Sequence, residues 1–298
     1  WPVFVALGVG AAMTVVSFAL AYLLPVFHFP TPTGSYDIGT HSYDWVDETR
    51  DETFKDEPGD QRELMVQVWY PALTDQGAPH APYIPDGAVL EPLASLLGLP
   101  GFSLGHLSLV TTNAVADAAA VGDNTRYPVL IFSHGRGGYR QHNTALFEEL
   151  VSHGYVVVSI DHPYAASGVV FPDGRVVAFD PRMRERSFVN AAIPTLAQDV
   201  LFVLRRLADV DANDPAGVLT GRLDLEAVGM FGLSLGGATT AEACRLEPRL
   251  RACLMMDVWM PPDVVAAGLD QPAMWMTRDE ASMQREGWAQ VDIDETLS

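Results

Sequence analysis

Ser234 lies in Gly232-Leu233-Ser234-Leu235-Gly236, after the apolar run Ala227-Val228-Gly229-Met230-Phe231 and before Gly237-Ala238-Thr239-Thr240. A serine between glycines, where a strand gives way to a helix, reads as a nucleophile elbow that lifts the hydroxyl clear of the backbone. A serine hydroxyl is a weak nucleophile near neutral pH, so it needs a base to take its proton and an acid to orient that base. Chains with this elbow carry the three in the order serine, acid, histidine. Asp257 closes the apolar stretch 252–256, while Asp279 and Glu280 follow the next one, 273–277; spacing alone does not choose among these acids. All eight histidines, from His28 to His162, precede Ser234, so none stands where the catalytic His is expected.

Negative charge growing on a substrate carbonyl oxygen needs fixed donors. The backbone N–H of Leu235, next after the nucleophile, is one by position. The second is expected from Phe132-Ser133-His134-Gly135-Arg136-Gly137-Gly138, a glycine-rich loop after a buried strand, with the Arg136 N–H as candidate. His134 and His162 precede the nucleophile and are expected to orient the loop and to form site wall or structure. Chemistry of this kind calls for no metal and no organic cofactor.

Such groups meet only if several strands end side by side. Continuous apolar strands are expected at 129–132, 155–161, 227–231, 252–257 and 273–277, separated by helical stretches such as 144–153. That alternation predicts an α/β chain with a mostly parallel sheet flanked by helices, and the elbow within it makes an α/β-hydrolase fold the expectation. In 195–210, Leu196, Val200, Val203, Leu204 and Leu207 recur at helical spacing to face the sheet, leaving Asp199, Arg205, Arg206 and Asp209 as the polar face. The alternating Leu64 to Pro71 is the first clear strand, and the acid-rich 44–63 reads as an exposed loop. Residues 78–124 mix apolar residues with proline and glycine, either as short lid helices or as ordinary connection.

The organisation expected is an anchor helix at 1–27, a linker and lead-in segment at 28–63 and the hydrolase domain at 64–298. From Pro2 to Phe27 no side chain is charged, long enough for a helix across a bilayer, with a cleaved signal peptide as the rival. The expected localisation is membrane-anchored with an extracytoplasmic catalytic domain, or secreted. A net charge of -20 with a single lysine, Lys55, argues against nucleic acid as a partner. Cys244 and Cys253 are expected as buried free thiols rather than a disulfide or ligand pair.

Ser133-His134-Gly135-Arg136-Gly137, the Gly-Leu-Ser-Leu-Gly-Gly-Ala-Thr run from Gly232 and Met256-Asp257-Val258-Trp259-Met260 occur in the order and spacing of one family. From about Phe29 to Thr277 the chain resembles the plasma and intracellular type II platelet-activating-factor acetylhydrolases. Pro32 to Gly39 and Tyr127 to Gly135 are also similar to its lead-in segment and oxyanion strand. The resemblance implies Ser234 as nucleophile, Asp257 as acid in preference to Asp279, and the Arg136 and Leu235 amides as oxyanion hole. It implies hydrolysis of short-acyl esters, on lipids or on small molecules. Leu233 and Leu235 stand where the family usually has His and Phe. The family's catalytic His follows the acid by some tens of residues, which implies that the last strand, helix and that His lie outside this sequence. The other reading is a catalytically incomplete, membrane-tethered binding protein without the base.

Overall fold

Val156 to Asp161 are all buried and start with three valines, the composition of a strand covered on both faces. Such strands build the centre of the computed structural model, which describes residues 2–55, 59–122, 124–285, 287 and 289–297. In chain order the strands are β1 (Asp37–Asp51), β2 (Gln61–Leu73), β3 (His80–Pro82), β4 (Thr111–Ala116), β5 (Ala119–Ala120) and β6 (Tyr127–Ser133). Then follow β7 (Val156–Asp161), β8 (Gly168–Val170), β9 (Val176–Ala178), β10 (Leu223–Leu233), β11 (Leu250–Met256) and β12 (Ala273–Met276). The helices are α1 (Pro2–Leu23), α2 (Leu90–Leu96), α3 (Thr144–Ser152), α4 (Arg186–Ala212), α5 (Leu235–Leu246), α6 (Pro262–Ala267), α7 (Glu280–Arg285) and α8 (Gln290–Leu297).

The main sheet runs β12-β11-β10-β6-β7-β2-β1-β4-β3, with β5 beside β2. The first five strands of that order are mutually parallel, and β2 turns antiparallel against β7. A mostly parallel sheet is the expectation; the antiparallel strands β1, β2 and β3 make it a mixed one. Helices α4 and α5 cover one face with Leu196, Val200, Val203, Leu207, Ala238 and Ala241. On the other, Phe147 and Val151 of α3 meet Trp69, Phe132 and Phe231. Helix α4 is long and apolar enough to cross a membrane, but 56% of its most apolar window is buried, so it is a core helix.

Four expectations are corrected. The acid-rich segment assigned to a linker and loop is instead strand β1, paired with β2 in an almost unbroken antiparallel register from Asp37↔Ala72 to Asp47↔Arg62. Tyr43, Trp45 and Asp47 point inward while Ser42, Asp44, Val46 and Glu48 point out, so the charge density marks one face of a strand. The α/β layer thus starts well before residue 64. Ahead of it, Gly34 lies so close to α3 that an added Cβ would sit 2.0 Å from the Ser152 carbonyl oxygen. Next, Asp199 is fully buried rather than on the polar face of α4. Helix α4 itself starts at Arg186 and carries Pro194 within it, nine residues earlier than the stretch read from the sequence. Finally, Cys244 and Cys253 form a disulfide that ties α5 to β11.

Helix α1 is a 22-residue helix. Among its described side chains Val3, Phe4, Val5, Leu7, Val9, Met13 and Val15 are all exposed.

Candidate active site

Parallel register brings three strand ends level: Ser133 of β6 lies opposite Gly232 of β10, and Leu233 lies opposite Met256 of β11. Ligands in open α/β sheets bind beyond such carboxyl ends. Ser234 follows at once, with φ 55° and ψ -119°, and α5 starts at the next residue. A non-glycine residue there carries about 1–3 kcal/mol of backbone strain, which the surroundings must hold in place. They do so closely. A Cβ on Gly232 would lie 2.2 Å from the Gly236 oxygen, and one on Gly236 would lie 1.9 Å from the Ser133 oxygen. Only glycine permits this approach, and the Ser234 N–H donates to the Met256 carbonyl at 2.8 Å.

The two candidate oxyanion donors, Leu235 and Arg136, line the same cavity as Ser234. Leu235 opens α5, so its N–H has no acceptor within the helix. The Arg136 N–H donates to no other group among the described residues, and a Cβ on neighbouring Gly135 would sit 3.5 Å from the Ser234 Cβ. The loop is pinned around these positions. Gly137 N–H donates to the Ala165 carbonyl at 2.8 Å, Ser167 N–H to the Gly138 carbonyl at 2.9 Å, and Arg140 pairs with Asp161. Residues 78–124 back this loop, with the Leu96 Cδ2 2.5 Å from where a Gly137 Cβ would be. They do not line the cavity in front of Ser234, so a lid role receives no support there.

That cavity, of about 540 Å³, is lined by Ser234, Leu235, Asp257 and Trp259 together with Arg136, Arg184, Arg186 and Arg278. Asp257 stands at the end of β11 with φ 54°, and its N–H donates to the Met276 carbonyl at 2.7 Å. Arg278, two residues beyond β12, grips both Asp257 oxygens through Nε and Nη2. Asp279 is used differently. It accepts from the Ser282 N–H and hydroxyl at 3.0 and 2.6 Å, capping α7, and the Ser282 hydrogen bonds hold its carboxyl below the ordinary range. Glu280 bonds Gln284 on the same helix, and neither acid lines the cavity.

Behind the loop is a second constellation. Ser133 Oγ lies 2.9 Å from His162 Nε2, and His162 Nδ1 lies 2.9 Å from Asp199 Oδ2. All three are essentially without solvent exposure, at 0%, 1% and 0%. Arg62 donates twice to Asp199, at 3.1 and 2.7 Å, and once to Glu52 at 2.8 Å, while Arg50 adds a bond to Asp199 at 2.9 Å. Burial alone would raise the Asp199 carboxyl; the Arg62 guanidinium and the His162 and Arg62 hydrogen bonds outweigh it and hold the group well below the carboxylate range. His134 accepts the His162 N–H at Nε2 over 3.1 Å, so its Nδ1–H donates to the Gly135 carbonyl at 2.8 Å. Burial pushes its imidazole down to about 3, and the ring serves as a neutral strut beneath the oxyanion loop. Of the eight histidines none lines the Ser234 cavity. Sequence reading missed Arg62 and Asp199; the one available signal was an acid inside the apolar stripe of α4, one residue before Val200.

Residues 24–173, 150 of the 298, match the family described as platelet-activating factor acetylhydrolase, isoform II. The platelet-activating factor acetylhydrolase of Cavia porcellus is 26% identical over 245 residues, covering 72% of this chain and 55% of that protein. That of Bos taurus is 26% identical over 281 residues, covering 84% and 60%. A probable 1-alkyl-2-acetylglycerophosphocholine esterase of Arthroderma benhamiae is 25% identical over 273 residues, covering 84% and 64%. The chain therefore spans between 55% and 64% of the length of these relatives. The solved structure of a ferulic acid esterase from Streptomyces cinnamoneus matches with a TM-score of 0.72 at 30% identity, covering 91% of this chain and 73% of that one.

Proposed function

The chain belongs to the platelet-activating factor acetylhydrolase isoform II family, and from that premise we propose that it is a serine hydrolase of carboxylic esters working through an acyl-enzyme on Ser234. One observation carries the reading: the strained elbow puts Ser234 in a single cavity with Asp257, beside the N–H groups of Leu235 and Arg136. Ser234 Oγ attacks the ester carbonyl carbon as its proton passes to a base. The carbonyl oxygen gathers negative charge against the two amides, and the ester C–O bond then breaks as the alcohol leaves with that proton. Water, deprotonated by the same base, attacks the acyl carbon and releases the acid, returning the proton to Ser234. Asp257 orients the base, which we assign to a histidine outside these 298 residues, taking the place at Asp257 that Arg278 holds here. The substrates are short-acyl esters, on lipids or on small molecules, in line with the names of the relatives.

The same proposal extends to location. The uncharged α1 with its exposed apolar side chains suits a bilayer anchor, and the Cys244–Cys253 bond suits an oxidising compartment outside the cytoplasm. Retention in membranes after an alkaline carbonate wash is expected, and full release into the soluble fraction would remove the anchor.

The second reading, a tethered binding protein without turnover, is favoured by the bidentate grip of Arg278 on Asp257. The two are separated by assaying the protein as its gene encodes it on p-nitrophenyl acetate and butyrate beside Ser234→Ala. Turnover that vanishes in the variant supports the esterase; a folded protein without turnover supports the binding reading.

A further inference from the structure

In the loop from Gly135 to Gly138 two amides are already spent: the Gly137 N–H donates to the Ala165 carbonyl and the Gly138 N–H to the Gly135 carbonyl, each at 2.8 Å. The Arg136 N–H belongs to the same peptide as that Gly135 carbonyl. In a planar trans peptide the C=O and N–H point in opposite directions, so whatever holds the carbonyl oxygen also aims the amide. The Gly135 oxygen accepts twice, from the Gly138 N–H and from His134 Nδ1–H, both at 2.8 Å, which fills its two lone pairs. Turning the peptide over would strand both donors. The imidazole is fixed in turn at its far nitrogen, where Nε2 accepts the His162 N–H at 3.1 Å, and the His162 ring is held by Ser133 and Asp199. That contact leaves the proton on Nδ1. Burial keeps the His134 ring neutral, so one nitrogen donates while the other accepts. A Cβ on Gly138 would lie 2.9 Å from the Gly135 oxygen and 3.1 Å from the His134 Cβ, so glycine is what lets the turn close on the ring. Donors on a carbonyl also polarise its peptide, which strengthens the N–H at the other end.

We propose that His134 is a positioning residue for ester hydrolysis: its Nδ1–H, by holding the Gly135 carbonyl, aims the Arg136 N–H at the oxyanion that forms when Ser234 attacks. The proposal rests on the esterase reading and adds a residue to its machinery. It ties one nitrogen of the ring to one step of the reaction, which bracing of the loop alone does not. No bond of His134 is made or broken, and its proton stays on Nδ1. As the ester oxygen turns negative, a donor that is already aimed needs no rearrangement.

The test removes the two ring nitrogens one at a time in the gene-length protein. In His134→Asn the amide Nδ2 reaches the place of Nδ1 and keeps the donor, while nothing reaches the His162 N–H. In His134→Gln the longer side chain reaches the place of Nε2, keeping that contact and losing the donor. With p-nitrophenyl butyrate, His134→Gln is expected to lower kcat at least about 10²-fold with KM within about threefold, the size of a lost oxyanion donor. His134→Asn is expected to keep kcat within about tenfold. Urea midpoints are expected in the opposite order, with His134→Gln the more stable of the two. A ring that serves structure alone would lower activity and stability together, so kcat that follows the urea midpoint across the pair overturns the proposal. A folded His134→Asn protein that loses kcat about 10²-fold overturns it too, even where His134→Gln does not fold. A trifluoromethyl ketone gives a second readout, since Ser234 adds to its carbonyl and leaves an oxygen where the oxyanion forms. Its Ki is expected to rise at least about tenfold in His134→Gln and to stay within about threefold in His134→Asn; equal Ki values contradict the assignment. Butyrate hydrolysis that survives Ser234→Ala would sink the esterase reading itself, a failure distinct from equal losses in the two His134 variants.

Discussion

Ser133 and Ser234 stand on neighbouring strands and face opposite situations. Ser133 has the complete chain of contacts that catalysis by serine is known for, hydroxyl to imidazole to carboxylate, each at 2.9 Å, yet it has no exposed surface. Ser234 has an open cavity that it shares with Leu235, Arg136 and an acid, Asp257, and a strained turn, and that acid is gripped by arginine. Hydrogen-bond connectivity and reactivity are therefore separable. The buried trio lacks a path for substrate and a place for an oxyanion, and its carboxylate is drawn into a network with Arg62 and Arg50 that fixes β1, β2 and α4 together. Ser234, half-buried, opens on a cavity that gives the proposed chemistry its space. The buried set braces the loop beside the Ser234 cavity, because His162 meets His134 and His134 meets Gly135 of that loop.

The sharpest way to break this contrast is to remove each hydroxyl. Ser234→Ala is expected to lower kcat for p-nitrophenyl butyrate by about 10⁴-fold with unchanged unfolding midpoint, whereas Ser133→Ala stays within about tenfold. The reverse ranking would exchange their roles. Next in size is the acid: Asp257→Asn is expected to cost about 10³-fold in kcat, and Asp279→Asn about twofold or less, since the latter only caps α7. Equal losses would show that the cavity does not define the acid. Arg62→Met is expected to destabilise by about 3–5 kcal/mol in urea unfolding, because it leaves Asp199 and Glu52 buried without their main partner. A cost below about 1 kcal/mol would mean that the network contributes little.

The smallest effect is in pH. His134 moves from 6.5 down to about 3 on folding, so below about 6.5 the unfolded chain binds a proton that the folded state refuses. Stability attached to it is full at neutral pH and falls as the pH drops from 6.5 towards 3, by at most about 1.4 kcal/mol per pH unit. Burial lowers His142 too, with the same sign, while Asp161, raised by burial, works in the opposite sense. Asp199, held low, keeps its contribution above the ordinary carboxylate range and loses it progressively in acid below that. Replacing His134 by Gln is accordingly expected to flatten the fall in urea midpoint between pH 6.5 and 4.5. An unaltered slope would show that His134 is not the titrating strut.

The elbow was legible because glycine spacing, apolar strand and small-residue helix start are all local properties of the chain. The parallel strands were legible for the same reason, as runs of apolar residues such as 129–132. Strand β1 was not, since its acids suggested a loop and its inward residues, Tyr43, Trp45 and Asp47, count as core only once Arg50 satisfies Asp47. Asp199 failed likewise: its partners Arg62 and His162 lie 137 and 37 residues away. Choosing Asp257 over Asp279 needed a family resemblance, because both follow strands, and only the fold shows one facing the cavity and the other capping a helix. The disulfide depended on α5 and β11 approaching in space, which spacing alone does not reveal.

Which of the two serines reacts separates their roles most directly. Treating the gene-length protein with a fluorophosphonate probe and mapping the labelled peptide reads this directly. Labelling confined to the peptide containing Ser234, and lost in Ser234→Ala but kept in Ser133→Ala, is the predicted result. A label on Ser133, or labelling that survives Ser234→Ala, would contradict it.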